Sequence, residues 1–315
     1  MSEFTEIQML TQVGKDIEPP VLVRIDENRL DELVQEDIKN GMIRGAHWFR
    51  KAEIWYQLCF AYNNPYNVRR VHSELTLITQ YQQRMYPYLV DRHLVFLGIG
   101  TGDTEFALIE PVLDAKKYCE MTVVDVNRDF IDNFYHSLLF KLPEDHNYQI
   151  CFRAINDIFE HLEKGDFQVG NARFEKKVFI CIGGTIGNFD PQEDLFSRFA
   201  RWMNRGDRLL LGFQLDTYLK SQFQKYRDNR LFHKLILGFR PELGFKRLHW
   251  VLNHEKKQIE AWHDNIQVFR SKKYNGQLLW MAMKEFGFEL LSANGQLAEF
   301  EDDFGNSCIQ IYEKK

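Results

Sequence analysis

Three glycines at every second position, Gly98, Gly100 and Gly102, end an apolar run in LVFLGIGTGDTEF (94–106). Glycine admits positive φ and lets a backbone approach a ligand with no Cβ in the way. After a strand and before a helix, such a turn can cradle the polar end of a nucleotide-like molecule. It can also be a purely structural tight turn. The next apolar run, MTVVDV, ends at Asp125. A carboxylate there can accept both hydroxyls of a ribose. IND (155–157) puts Asp157 beside an adenine edge, or makes it the cap of a helix begun by IFEHL. In IGGTIGNF (182–189), Gly183, Gly184 and Gly187 keep a second loop close to the same cleft. The Asn188 amide then faces a substrate or caps a helix starting near Pro191.

A dinucleotide turn wants its third glycine where Asp103 stands, so the spacing is GxGxG and not GxGxxG. A ribose and an adenine site without a pyrophosphate requirement favours S-adenosylmethionine. An NAD-dependent dehydrogenase ranks below it, with no catalytic Lys/Tyr or His pair in view.

The elements that must position these residues follow from periodicity. LVFL (94–97), 121–126, 148–154, 176–183 and 207–215 are near-continuous apolar runs, as strands covered on both faces are. Helical spacing separates them, over 128–139 and 193–203 for example. This alternation predicts a doubly wound parallel sheet with right-handed crossovers. Residues 1 to 90 read as helical, with helices over 28–40, 46–62 and 74–86. The alternation breaks at Asp216: 216–238 reads as one long helical region, then three short strands form an antiparallel meander. A helix over 274–286 and a final antiparallel pair close the chain. The expected division is a cofactor-binding core over 71–215 plus 272–315, and a substrate-binding α+β part over 1–70 plus 216–271.

Bulk properties exclude several classes. A net charge of -5 gives no electrostatic case for nucleic acid. No apolar run approaches the ~20 residues of a membrane span. The first residues lack a basic stretch followed by an apolar block, so no signal peptide is expected there. The five cysteines are scattered without CxxC spacing, and the ten histidines show no HExxH, so neither a disulfide framework nor a metal site is expected. A reducing, cytoplasmic setting is the default expectation.

FLGIGTGDT, VVDV, Asp157-Ile158, IGGTIGNF and RGDRLLLGFQL, in this order, resemble the histidine-specific S-adenosylmethionine-dependent methyltransferases of ergothioneine biosynthesis. That family includes a fungal branch acting on a prenylated tryptophan. The resemblance runs from about Trp48 to the C-terminus, and GGTIGN followed by RGDRLLLG is its most specific part. It implies a class I methyltransferase core with a second domain from the N-terminal region and an insertion after the fifth strand. By position, Gly98, Gly100, Thr101 and Gly102 would border the methionine part of the cofactor. Asp125 would hold the ribose, Asp157 and Ile158 the adenine, and Gly183 the floor. For substrate, Asn188, Tyr226, Tyr66 and Ser271 match family contacts.

The departures bear on substrate. The family's glutamate in a glutamate-x-serine pair falls at Phe269. A tyrosine after an aromatic pair is Arg50, a methionine after IE is Ala261, and the acid two before the turn's first glycine is Phe96. The polar reading of an imidazole is thereby largely missing, and such losses cost orders of magnitude in discrimination. The expectation is a methyltransferase for a small molecule, at the nitrogen of an amino-acid-like or aromatic amine other than histidine. The alternatives are histidine Nα-methylation and a non-catalytic binding protein on the same fold. No general base stands out, and the sequence leaves the oligomeric state open.

Overall fold

The computed structural model describes residues 9–10, 21–44, 52–60, 68–141, 149–168, 173–189, 192–237, 248–293, 295–303 and 305–315. Two short strands, β1 (Met9–Leu10) and β2 (Val21–Val23), precede helices α1 (Glu27–Lys39), α2 (Ala52–Phe60) and α3 (Val68–Leu89). Strand–helix alternation follows: β3 (His93–Leu97), α4 (Asp103–Lys116), β4 (Tyr118–Asp125), α5 (Arg128–Lys141), β5 (Gln149–Asn156), β6 (Lys177–Cys181), α6 (Gln192–Trp202) and β7 (Arg208–Gln214). Every residue of β3 is buried, as its unbroken apolar run requires.

The five central strands are parallel in the order β5-β4-β3-β6-β7. From β3 the chain builds outward through β4 and β5, then returns to β6 on the other side of β3. This reversal leaves a crevice at the carboxyl ends of β3 and β6, where open α/β sheets bind ligands. On one face, Phe96 and Ile180 pack with Leu77 of α3, Leu108 of α4 and Phe134 of α5. On the other, Val95, Phe179 and Leu211 pack with Leu195, Phe199 and Trp202 of α6.

After β7 come α7 (Leu219–Arg227), α8 (Arg230–Leu237) and the meander β8 (His249–Asn253), β9 (Gln258–His263) and β10 (Ile266–Lys272). Leu58 of α2 and Phe232, Leu235 and Ile236 of α8 cover this sheet, with Phe269 inside the cluster. Helix α9 (Gly276–Glu285), β11 (Phe288–Leu290), the hairpin β12 (Ser292–Ala293) with β13 (Gln296–Leu297), β14 (Glu299–Glu301) and β15 (Ser307–Lys314) complete the chain. Strand β15 runs antiparallel between β7 and β11 and extends the main sheet.

Two features differ from the periodicity. The long helical region expected over 216–238 holds two helices, because the Asn229 side chain accepts from the Leu231 and Phe232 amides at 3.0 and 3.1 Å and starts a new one. The N-terminal region is not all helical: β1 and β2 both pair with β5. Segments of two and three residues are too short to show a period of two, and only pairing with a long strand defines them. Tyr66 and Arg50 lie outside the described residues.

The turn Thr185–Asn188 is pressed against β10, and a Cβ on Gly187 would meet the Lys272 carbonyl oxygen at 2.6 Å. Backbone cannot yield as a side-chain tip can, so Gly187→Ala is expected to cost about 1–3 kcal/mol. Gly165, with nothing within 4 Å of a built Cβ, is the control. Thermal melts of both variants check this: the first melts lower, and the second stays within about 0.5 kcal/mol of the parent.

Candidate active site

The crevice at the sheet's carboxyl edge is an open cleft, at the place where open α/β sheets bind their ligands. In sheet order, it is lined by Asp157, Ile158 and Phe159 after β5, Asp125 and Val126 at β4, and Gly98, Ile99, Gly100 and Thr101 after β3. Ile182, Gly183, Thr185, Asn188 and Phe189 line the β6 side. Nearly all the residues expected from sequence to hold a cofactor thus meet in one place.

The glycine turn owes its shape to backbone bonds. Gly98 N donates to Val124 O at 2.8 Å, and Gly102 N donates to Ile99 O at 2.9 Å. Gly98, Gly100 and Gly102 have φ of 80, 52 and 75°, a region L side chains enter only at a cost. Gly102 does not line the cleft: it is buried, and a Cβ there would lie 2.4 Å from the Phe134 ring. It makes room for the Phe134 ring of α5 at the start of α4. Phe96 turns away from the cleft too, into the core beside Phe134 at 6.3 Å between ring centroids.

Asp125 closes the turn from β4. Its Oδ2 accepts from Ile99 N and its Oδ1 from Asn127 N, both at 2.8 Å. Burial pushes its carboxyl up to about 6, against the downward pull of these amides. Asp157 is the hydrogen-bond partner of Ile158 N and His161 Nδ1 through Oδ1, both at 2.8 Å. Its Oδ2 is buried without a hydrogen-bond partner, and the Arg24 guanidinium stands 4.0 Å off. A buried unpaired acceptor invites a donor, and the amino group of an adenine is one. These residues fit S-adenosylmethionine.

Several lining residues carry no motif. Trp55 of α2 reaches over the turn, its Nε1 lying 3.6 Å from a Cβ built on Gly100. Phe159 and Phe189 stack with ring centroids 5.6 Å apart and form an apolar wall. Glu105, buried in the first turn of α4, also faces the cleft. No local rule separates these aromatics from core aromatics. Glu105 could have been flagged as an acid on the otherwise apolar buried face of α4.

The expected substrate residues divide. Asn188 lines the cleft. Tyr226, Phe269 and Ser271 do not line it; they are buried beside it in the smaller sheet. Phe269 packs on Tyr226 and Phe232, with centroids 5.2 and 4.8 Å apart. The buried Lys273 ammonium donates to Ser271 Oγ at 2.8 Å, to Tyr226 OH at 3.3 Å and to the Gln214 side chain. This cluster joins the cleft through β10: Arg270 Nε donates to Asn188 O at 3.1 Å. Cys119, Cys151, Cys181 and Cys308 are free thiols. Among the same residues, no helix is long and apolar enough to cross a membrane.

An open parallel sheet with this cleft at its strand reversal defines a class I methyltransferase. A family profile described as histidine-specific, S-adenosylmethionine-dependent methyltransferase matches residues 54–233, and the chain belongs to that family. S-adenosylmethionine is its cofactor. The matched span ends before Ala261, Phe269 and Ser271. Solved structures similar to the chain include magnesium protoporphyrin IX methyltransferase from Synechocystis PCC 6803 with bound S-adenosylhomocysteine. It is 13% identical, with 86% of this chain and 98% of that chain covered at TM-score 0.47. Another is 1,6-didemethyltoxoflavin-N1-methyltransferase from Burkholderia thailandensis, 12% identical, with 78% and 82% covered at TM-score 0.43. No curated protein matches the chain.

Glu74 of α3 supports the second loop from below. Its carboxylate accepts from Gly183 N, while Oε1 is buried with no partner. Burial raises its pKa from 4.5 to about 7, against the pull of the Gly183 and Gly184 amides and of Lys273. A raised carboxyl pKa favours the fold at low pH, and that contribution fades as pH climbs from about 4.5 through about 7. The loss amounts to roughly 3 kcal/mol. Glu74→Gln, neutral throughout, is expected to flatten the fall in melting temperature over that window. Melts of the ligand-free protein across the window check it, and an unchanged slope contradicts it.

Proposed function

We propose that this chain methylates the nitrogen of a small aromatic or amino-acid-like amine other than histidine, using S-adenosylmethionine as methyl donor. The observation that carries the substrate half of this reading is Phe269, a phenyl ring among Tyr226, Phe232 and Trp250. An imidazole needs hydrogen-bonding partners that a phenyl ring lacks. These rings pack on one another beside the cleft and back it with an apolar layer where the family's carboxylate would stand.

In this reading Asp125 accepts the ribose hydroxyls, Asp157 faces the adenine amine, and Gly98, Gly100 and Thr101 border the methionine part. The cofactor supplies an electrophilic methyl group on a sulfonium. Asn188 orients the amine, Trp55, Phe159 and Phe189 exclude water, and the rate gain comes from proximity and alignment. The core over 71–215 plus 272–315 supplies the cofactor side, and the part over 1–70 plus 216–271 supplies the substrate side. The family description names histidine, so histidine Nα-methylation is the rival reading.

A panel of aromatic amines, aromatic amino acids and histidine, followed by mass spectrometry, separates the two. The expected outcome is methylation of an aromatic compound, with histidine turned over at under about a hundredth of that rate. Histidine methylated as fast as the best aromatic compound contradicts the proposal. For the cofactor half, calorimetry of Asp125→Ala with S-adenosylhomocysteine is expected to show affinity about 10- to 100-fold weaker than the parent, the loss of charge-assisted bonds to a diol.

A further inference from the structure

Three carboxylates line the cleft, and they are not equivalent. Asp125 is held by the amides of Ile99 and Asn127. Asp157 is engaged by Ile158 N and His161, with Arg24 nearby. Glu105 lines the same cleft from the first turn of α4, the element that follows the glycine turn. It is 96% buried, being 4% exposed. Its carboxyl takes a hydrogen bond from its own amide, and among the described residues no lysine or arginine pairs with it. Among the described residues, the charged groups acting on it are Glu74, Asp103 and Asp125, all acidic. A buried carboxyl in such company is costly unless a cation arrives to share it.

We propose that Glu105 is the acceptor for the α-ammonium group of the cofactor's methionine part. The inference rests on the cofactor assignment and on the glycine end of the cleft holding that part. Three groups of acceptors then answer three donor groups along one molecule: Asp157 the adenine amine, Asp125 the ribose diol, Glu105 the ammonium. Of the three, Glu105 is the carboxylate that, among the described residues, accepts from no other residue's N–H, which leaves it for the ligand. Phe96 at the end of β3 offers no acceptor, because its ring is buried against Phe134. The first turn of α4 is the next element to reach that end of the cleft, and Glu105 is its buried acid.

The competing role is structural. Glu105 is the third residue of α4, whose N-cap Gly102 has no side chain to cap the helix. An acid in a first turn steadies a helix with no ligand present. Calorimetry on the full chain separates the roles by using ligands that differ by one group. The parent is titrated with S-adenosylhomocysteine and with its analogue lacking only the α-amino group, and Glu105→Gln with the same pair.

The expected result is a parent preference for S-adenosylhomocysteine of about 10-fold or more, the size of a charge-assisted hydrogen bond. In Glu105→Gln that preference is expected to fall below about 3-fold, with binding of the desamino analogue little changed. Titration with methylthioadenosine, which has no amino-acid part, verifies that the adenosine half of the variant's site is intact. If it is not, Glu105→Asp, which keeps the charge, is expected to bind the desamino analogue and retain part of the preference. A parent with no preference, or a preference undiminished in Glu105→Gln, overturns the proposal and leaves the cofactor assignment standing. Failure of the parent to bind S-adenosylhomocysteine at all overturns the cofactor assignment, and this proposal falls with it.

Discussion

The Asp125 carboxylate joins the parts of the cleft. One oxygen takes the amide of Ile99 inside the glycine turn, and the other takes the amide of Asn127 at the start of α5. One side chain thus fixes the distance between the ends of β3 and β4 and aligns two loops. The neighbouring bonds depend on the same position: Asn156 Nδ2 donates to Asp125 O at 3.1 Å, and Asp157 N donates to the same oxygen at 3.1 Å. The carboxyl ends of β3, β4 and β5 are tied through one residue. Burial makes that carboxylate expensive to ionise, and hydrogen bonds to a charged acceptor, worth ~1.5–3 kcal/mol each, offset the cost.

The β6 side is tied down from two other directions. Glu74 of α3 holds the Gly183 amide from beneath. Strand β10 presses on the Thr185–Asn188 turn, with Tyr274 OH donating to Ile186 O at 3.0 Å and Arg270 donating to Asn188 O. Both contacts need glycine at the point of approach. A Cβ on Gly212 would come within 2.8 Å of Glu74 Oε1, and one on Gly187 within 2.6 Å of the Lys272 backbone. The smaller sheet is thereby coupled to the cleft through short, inflexible contacts. A ligand that moves β10 must also move the loop carrying Asn188.

The charge pattern of the site is lopsided. Acidic groups dominate the cofactor side, where Glu105, Asp125, Asp157 and the underlying Glu74 cluster. On the far side of the loop the buried ammonium of Lys273 sits among neutral acceptors. A cationic cofactor meets opposite charge on the acidic side, and low dielectric makes that preference stronger than it is at a surface. Lys273 also lowers the Glu74 carboxyl's pKa, so the two halves are electrostatically aware of each other.

Much of the cofactor half was legible in the sequence. Gly98, Asp125 and Asp157 each stand at the end of an apolar run, and strand ends are where an α/β sheet puts its ligand. Local signals suffice there, because each residue is positioned by the element it terminates. Gly102 shows the limit: its spacing marks a ligand contact, yet Phe134 is what its missing Cβ makes room for. The substrate half was less legible. Tyr226, Phe269, Ser271 and Lys273 come from α7, β10 and its end, and which of them face the cleft depends on how a second sheet docks. Short strands such as β2, the break at Asn229 and the burial of Glu105 are likewise settled by packing between distant segments. The sequence by itself determined the order of elements and the acids at their ends, since periodicity and turn chemistry act over a few residues. Only the tertiary structure decided which side chains share the cleft, since that follows from close packing of elements far apart in the chain.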